Sequence, residues 1–104
     1  RLILGGVTGG LSGPAIRPLA VRCVWQVHQA VPDAPILGMG GIASGADALQ
    51  FLAAGASAVE VGTMTFNEPS APARVQRELL ALLEQRGFGS VAEAVGIGHR
   101  GGLA

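Results

Sequence analysis

A single cysteine, Cys23, in a chain of 104 residues excludes an internal disulfide and any paired-thiol metal knuckle, and makes a reducing cytoplasm the default expectation. Charge is scarce too. Asp, Glu, Lys and Arg make up 13% of the residues and cancel to a net charge of zero, against roughly 25% charged residues in an average soluble domain. Zero net charge removes the basic footprint of a nucleic-acid binder. So little charge also leaves few residues to coat an independent surface, so a piece of a larger packed body, or a chain that oligomerises, is expected. No apolar run reaches the ~20 residues needed to cross a membrane. No basic stretch followed by an apolar one opens the chain, so no signal peptide is expected. Arg1 is not an initiator residue, which suits the expectation of a piece.

Apolar residues (49%) and glycine (17 positions) are what the chain has in quantity. Short apolar runs alternate with longer helical patterns across glycine-rich turns, the signature of βα units and a parallel sheet. Leu2-Ile3-Leu4 reads as an extended run ending at Gly5-Gly6, and Thr8 to Pro14 as a loop. Pro18 to Val31 reads as a helix, with Leu19, Val21 or Cys23, Val24, Val27 and Val31 on its apolar face. On that helix Cys23 reads as a buried structural thiol, Trp25 as a packing residue and His28 as a solvated or capping one. Arg17, just before it, reads as a surface charge.

Ile36-Leu37-Gly38-Met39 has the all-apolar pattern of a strand covered on both faces. Ser44 and Asp47 approximate a capping box at the start of a helix with Ala48, Leu49, Phe51 and Leu52 inward, stopped by Gly55. Ala58 to Val61 is the next strand, interrupted by Glu60, to which no catalytic role is given. Pro72 to Arg86 reads as an amphipathic helix burying Val75, Leu79, Leu80, Leu82 and Leu83. Ser90 with Glu93 forms a second capping box, and the tail from Gly96 to Ala104, with His99 and Arg100, is expected to be loosely ordered.

Both inner strands run into glycine turns, Gly40-Gly41 and Gly62-Thr63. In a parallel sheet both turns lie at the carboxyl edge, where their N–H groups can converge on one anion. Glycine permits the backbone angles and the close approach; the helix N-terminus that follows adds its dipole and free donors, and Thr63 a hydroxyl. In (β/α)8 barrels a phosphate commonly sits at the loops after the last two strands, and a complete barrel needs about 250 residues. The alternative is that the glycines only permit tight strand-to-helix packing.

Longer strings carry a resemblance. Ile36-Leu37-Gly38-Met39-Gly40-Gly41-Ile42, then Ser44, Ala48 and Gly55-Ala56, resemble a signature pattern of the dihydroorotate dehydrogenases. Gly9-Gly10-Leu11-Ser12-Gly13-Pro14-Ala15-Ile16-Arg17-Pro18 is similar to the preceding stretch in the class 1B enzymes, the catalytic subunits of the NAD-linked form. Gly55 to Val59, Val61-Gly62-Thr63, Phe66, Pro69, Gly87-Phe88 and Ser90-Val91 continue the match, which runs from Gly9 to about Val95.

The resemblance implies an α/β fold, the C-terminal portion of a (β/α)8 TIM barrel comprising its last two strands with flanking helices, and FMN as cofactor. In the family the glycine matching Gly13 contacts the flavin, while the pairs matching Gly40-Gly41 and Gly62-Thr63 hold its phosphate. The parent enzyme oxidises (S)-dihydroorotate to orotate in pyrimidine biosynthesis. Its expected partners are a subunit carrying FAD and an iron–sulfur cluster and a second copy of the catalytic subunit. The family's active-site cysteine, flavin-contacting lysine and substrate-binding asparagines match nothing in this chain, so no catalytic residue and no metal ligand is assigned and the isolated chain is expected to be inactive. The rival readings are another phosphate-binding barrel, either a different flavin oxidoreductase or a sugar-phosphate isomerase, and a non-catalytic barrel fragment or assembly module.

Overall fold

The computed structural model describes residues 10–101. The expected Leu2–Leu4 run and the Gly5-Gly6 turn lie outside them. A short 3-10 turn, Pro14–Ile16, leads into α1 (Arg17–Ala30), followed by β1 (Leu37–Met39), α2 (Gly45–Ala54), β2 (Ala58–Glu60), the single turn α3 (Met64–Asn67), α4 (Ala71–Gln85) and α5 (Val91–Ala94), and a last 3-10 turn, Ile97–Arg100. β1 and β2 pair in parallel, with Leu37 opposite Ala58, Gly38 opposite Val59 and Met39 opposite Glu60. The fold is α/β, and both strands point their carboxyl ends to one edge, as the alternation of apolar runs and helical patterns predicts.

α2 is the centre of packing. Ala48, Leu49, Phe51, Leu52, Ala53 and Ala54 are all buried, and Phe51 is fully so. Its neighbours are α1 on one side and α4 on the other, with the sheet beneath. Gly38 is required by this contact, since a Cβ there would lie 2.7 Å from Phe51 Cδ1. At the start of the helix Gly45 plays the same part, because a Cβ would fall 2.4 Å from the Leu79 nitrogen of α4.

Several expectations need correction. The β1 strand is covered on one face: Gly38 is buried, whereas Leu37 and Met39 are 53% exposed on the other. Helix α1 buries Val24, with Ala20, Val21 and Trp25 packed beside it; Leu19, Val27 and Val31 are exposed, and so is Cys23. The apolar residues of α1 cover more of its circumference than one neighbour can bury, so periodicity alone could not choose between the two faces. Leu80 of α4 likewise points out, while Val75, Leu79 and Leu83 point in. Both capping boxes are shifted by one residue on their return leg. Ser44 Oγ accepts from the Asp47 nitrogen, but Asp47 Oδ2 accepts from the nitrogen of Ala43. Glu93 accepts from Gly89, and Ser90 makes no side-chain cap.

The described part of the tail, up to Gly101, is packed rather than loose, and the rest of the expected tail lies outside the described residues. Ile97–Arg100 docks onto α2, the His99 ring stacks on Trp25 at 3.5 Å between centroids, and His99 Nε2 lies 2.7 Å from the carbonyl oxygen of Ala54. His28 is therefore not a solvated residue. Its ring lies against Gly55 and Gly96, where a Cβ would come within 2.4 Å and 3.1 Å of it, and 4.6 Å from the ring of His99. These two glycines accept the aromatic stack because both adopt positive φ, 126° and 74°, and neither has a side chain to displace it. Among the described residues no helix is long and apolar enough to cross a membrane.

Candidate functional site: a glycine-walled pocket at the carboxyl edge of the sheet

Three chain segments meet at the carboxyl edge. The first is Gly13-Pro14, just before α1. The second is the turn after β1, Gly40 to Ser44. The third is the turn after β2, from Gly62 into α3. Gly13, Pro14, Gly41, Ile42, Ala43, Gly62, Thr63, Met64 and Asn67 enclose a cavity of about 50 Å³. At roughly 10–15 Å³ for each water-sized occupant, that is room for about three to five such groups, the size of a tetrahedral oxyanion. A shallower, more open hollow of about 250 Å³ adjoins it, sharing Gly13, Gly41, Gly62 and Thr63 and adding Leu11, Ser12, Met39, Gly40 and Glu60 among its walls.

Gly41 is held at φ 72°, and a Cβ on it would lie 2.6 Å from the carbonyl oxygen of Gly13 and 3.0 Å from Arg17 Cβ. The first and second segments can therefore touch only because residue 41 has no side chain. Gly40, at φ 126°, would bring a Cβ within 2.8 Å of Ala20 Cβ, which seats the turn against α1. Gly62 differs from both. Its φ is not positive, and nothing lies within 4 Å of where its Cβ would be. Neither backbone strain nor packing against a described residue calls for glycine there, and the residue lines both hollows.

The backbone N–H groups of Gly41, Ile42, Gly62 and Thr63 meet no acceptor among the described residues. Around the start of α2 some donors are occupied, since Asp47 N bonds to Ser44 Oγ at 3.2 Å, Gly45 N to Glu78 Oε1 at 2.8 Å and, just before the cap, Ala43 N to Asp47 Oδ2 at 3.0 Å, whereas Ser44 N and Ala46 N meet no acceptor among the described residues. The helix N-terminus thus keeps part of its expected free donors, side chains of this chain having taken those of Gly45 and Asp47.

Of the five residues singled out in the sequence, Gly13, Gly41, Gly62 and Thr63 line both hollows and Gly40 lines only the open one. Sequence reasoning missed Met64 and Asn67, which enter because the chain after Thr63 coils at once into α3. It also missed the groups that hold the walls from behind. Arg17 is no surface charge: Nη1 sits 3.2 Å from Asp47 Oδ1 and donates to the Gly41 carbonyl at 3.4 Å. Arg74 of α4 donates through Nε to Glu68 at 2.8 Å, through Nη1 to Glu78 at 2.9 Å and through Nη2 to the Ala43 carbonyl at 2.8 Å. A lone Arg thirty residues from the turn it supports gives no local signal; only the fold brings the two together.

The Arg74 hydrogen bond holds the Glu68 carboxyl below its ordinary value of 4.5, and the Gly45 N–H, followed by Arg74, does the same for Glu78. For a carboxyl whose value falls on folding, the stabilisation is complete above the unfolded value and is lost as pH drops through the folded one. The urea midpoint of the protein should therefore decline as pH falls below 4.5, and a double Glu68→Gln, Glu78→Gln variant should flatten that decline. An unchanged pH profile in the double variant would show that these two carboxyls do not carry it.

The dihydroorotate dehydrogenase family model matches residues 2–83 of the chain. The chain belongs to the dihydroorotate dehydrogenase family. Among curated relatives it is 53% identical over 102 residues to the dihydroorotate dehydrogenase B (NAD(+)) catalytic subunit of Desulforudis audaxviator, which covers 98% of this chain and 33% of that protein. It is 54% identical over 93 residues, 89% of the chain and 30% of the relative, to a putative dihydroorotate dehydrogenase A (fumarate) of Solibacter usitatus. The ligand-free dihydroorotate dehydrogenase of Eimeria tenella superposes with a TM-score of 0.85 at 40% identity, over 89% of this chain and 26% of that one. The chain thus spans about a third or less of the length of the dihydroorotate dehydrogenases it matches.

Proposed function

We propose that this chain is the C-terminal, FMN-phosphate-binding part of a (β/α)8-barrel dihydroorotate dehydrogenase. The observation that carries the proposal is the pocket, where the turns after two parallel strands, with N–H groups that meet no acceptor among the described residues, line a small cavity beside a glycine, Gly62, that neither backbone strain nor packing against a described residue requires. Gly41, Ile42, Gly62 and Thr63 would hold the phosphate through backbone N–H groups, with the Thr63 hydroxyl as a further donor. Gly13 and Gly40 face the adjoining hollow, on the side where the flavin would continue. A bound flavin would supply the redox chemistry, as hydride acceptor, and the part of this chain would be to bind and orient it.

The exposed residues fit a barrel. Leu37, Met39, Ala58 and Glu60 share the uncovered face of the sheet, which would be the barrel interior. Leu19, Val27 and Val31 of α1 form a second uncovered face, suited to a neighbouring helix. The substrate would be dihydroorotate and the product orotate, with the base and the substrate-binding side chains supplied from outside this chain. By likeness to the NAD-linked catalytic subunits, a homodimer working with a separate FAD and iron–sulfur subunit is the proposed assembly, in the cytoplasm.

Titration with FMN and, in parallel, with riboflavin tests the phosphate assignment. Tighter binding of FMN supports it, and equal affinity would remove it.

A further inference from the structure

We infer that Arg74 is a positioning residue for the phosphate pocket, fixing the separation of its two glycine turns from behind. The inference rests on the phosphate reading proposed above and adds what sets the geometry of that site.

The residues lining the small cavity carry no charge: they are glycines, Pro14, Ile42, Ala43, Thr63, Met64 and Asn67. Affinity for an anion must then come from where the neutral N–H donors point, and donors on two different turns serve one anion only at a fixed separation. The sheet that joins the turns is slight, since each strand contributes three residues. Something further has to lock the walls together.

Arg74 is placed to do so. Its Nη2 donates to the carbonyl of Ala43 in the wall formed after β1, and its Nε to Glu68, the residue directly after Asn67 in the wall formed after β2. Its Nη1 engages Glu78, whose other oxygen accepts from Gly45 N and so pins the far end of the first turn. One planar guanidinium thus binds both walls and the helix beneath them. Arg17 forms the matching tie between the first and second segments, through Gly41 and Asp47. Arg74 itself is not a phosphate ligand: it lines neither hollow, and its charge is spent on two carboxylates. Lysine cannot replace it, because an ammonium is a compact point charge without the fixed fork that spans three acceptors.

The test uses the intact protein, with FMN and riboflavin affinities measured for wild type, Arg74→Gln and Arg74→Lys, and the phosphorus NMR line of bound FMN as a second readout. Groups that orient metal ligands from behind are typically worth about 10- to 100-fold in metal affinity, and the same scale is expected for a group that orients the donors of an anion site. FMN binding should therefore weaken by about tenfold or more in both variants, with riboflavin binding unchanged within about twofold and the phosphorus line displaced. Equal weakening of both ligands would mean that Arg74 supports the fold and nothing more specific, which overturns the inference. Full FMN preference in Arg74→Lys would overturn it too, and that variant keeps the charge should Arg74→Gln fail to fold. A wild-type protein with no preference for FMN would instead sink the phosphate reading on which the inference rests.

Discussion

Replacing Gly41 with alanine should abolish the preference for FMN over riboflavin, whereas replacing Gly62 with alanine should weaken FMN binding without unsettling the protein. At Gly41 two penalties fall together. The residue sits at φ 72°, where a side chain costs between about 1 and 3 kcal/mol of backbone strain. Its new Cβ would also stand 2.6 Å from the carbonyl oxygen of Gly13, which is main chain and cannot swing aside as a side-chain tip could. The turn must therefore move away from Gly13, carrying with it the N–H groups of residues 41 and 42.

At Gly62 a methyl meets no described atom within 4 Å, and the backbone is not in the left-handed region. The stability change there should stay within about 0.5 kcal/mol, as for substitutions away from structural features. The methyl still projects beside the cavity, so the loss should appear in FMN affinity alone. Urea denaturation and flavin titration of the two variants check both halves. A Gly62→Ala protein that binds FMN as tightly as wild type would show that the open space beside residue 62 is not where the ligand lies.

Phe51→Ala is the second large effect, and it tests the fold that holds the pocket. Phe51 is fully buried at the meeting point of α2 and β1, its ring lying over Gly38, two residues before the first glycine turn begins. Truncating a phenylalanine so placed typically costs about 3–5 kcal/mol, through lost burial and the cavity left behind. Whole domains are stable by only about 5–15 kcal/mol, so the variant should be unfolded or close to it at ambient temperature. A fall of the urea midpoint corresponding to less than about 1 kcal/mol would contradict the packing described here, because the core would then have closed over the gap.

The pattern of the chain revealed more of the site than of the surfaces. The strand–glycine–helix order was legible because its signals are local: Gly40-Gly41 after an apolar run, Ser44 before a helical pattern, Gly55 after it. The burial of Phe51 and Leu52 followed from helical spacing with equal ease. Surfaces were less legible where apolar residues outnumber the neighbours that could bury them. On α1, Leu19 and Val27 look like core residues by type, yet the face turned to the core carries Ala20, Val21, Val24 and Trp25, and the two faces differ only by what lies across from them. Leu80 on α4 was misread in the same way. The C-terminal turn was misjudged because glycine content suggested a loose tail, while the stacking of His99 on Trp25 is a contact across more than seventy residues that no local pattern announces. The supports of the pocket were hidden for the same reason: Arg17 and Arg74 look like solvated charges until the fold sets them against the carbonyls of Gly41 and Ala43.

The central claim is that the N–H groups of the two glycine turns hold a phosphate. The most direct measurement is an amide nitrogen–proton NMR titration of the protein with FMN, repeated with riboflavin. The amide signals of Gly41, Ile42, Gly62 and Thr63 should move together with FMN, in proportion to occupancy, and stay in place with riboflavin until the adjoining hollow fills. Displacements of the same size with both ligands, or signals that move elsewhere in the chain while these four stay fixed, would contradict it.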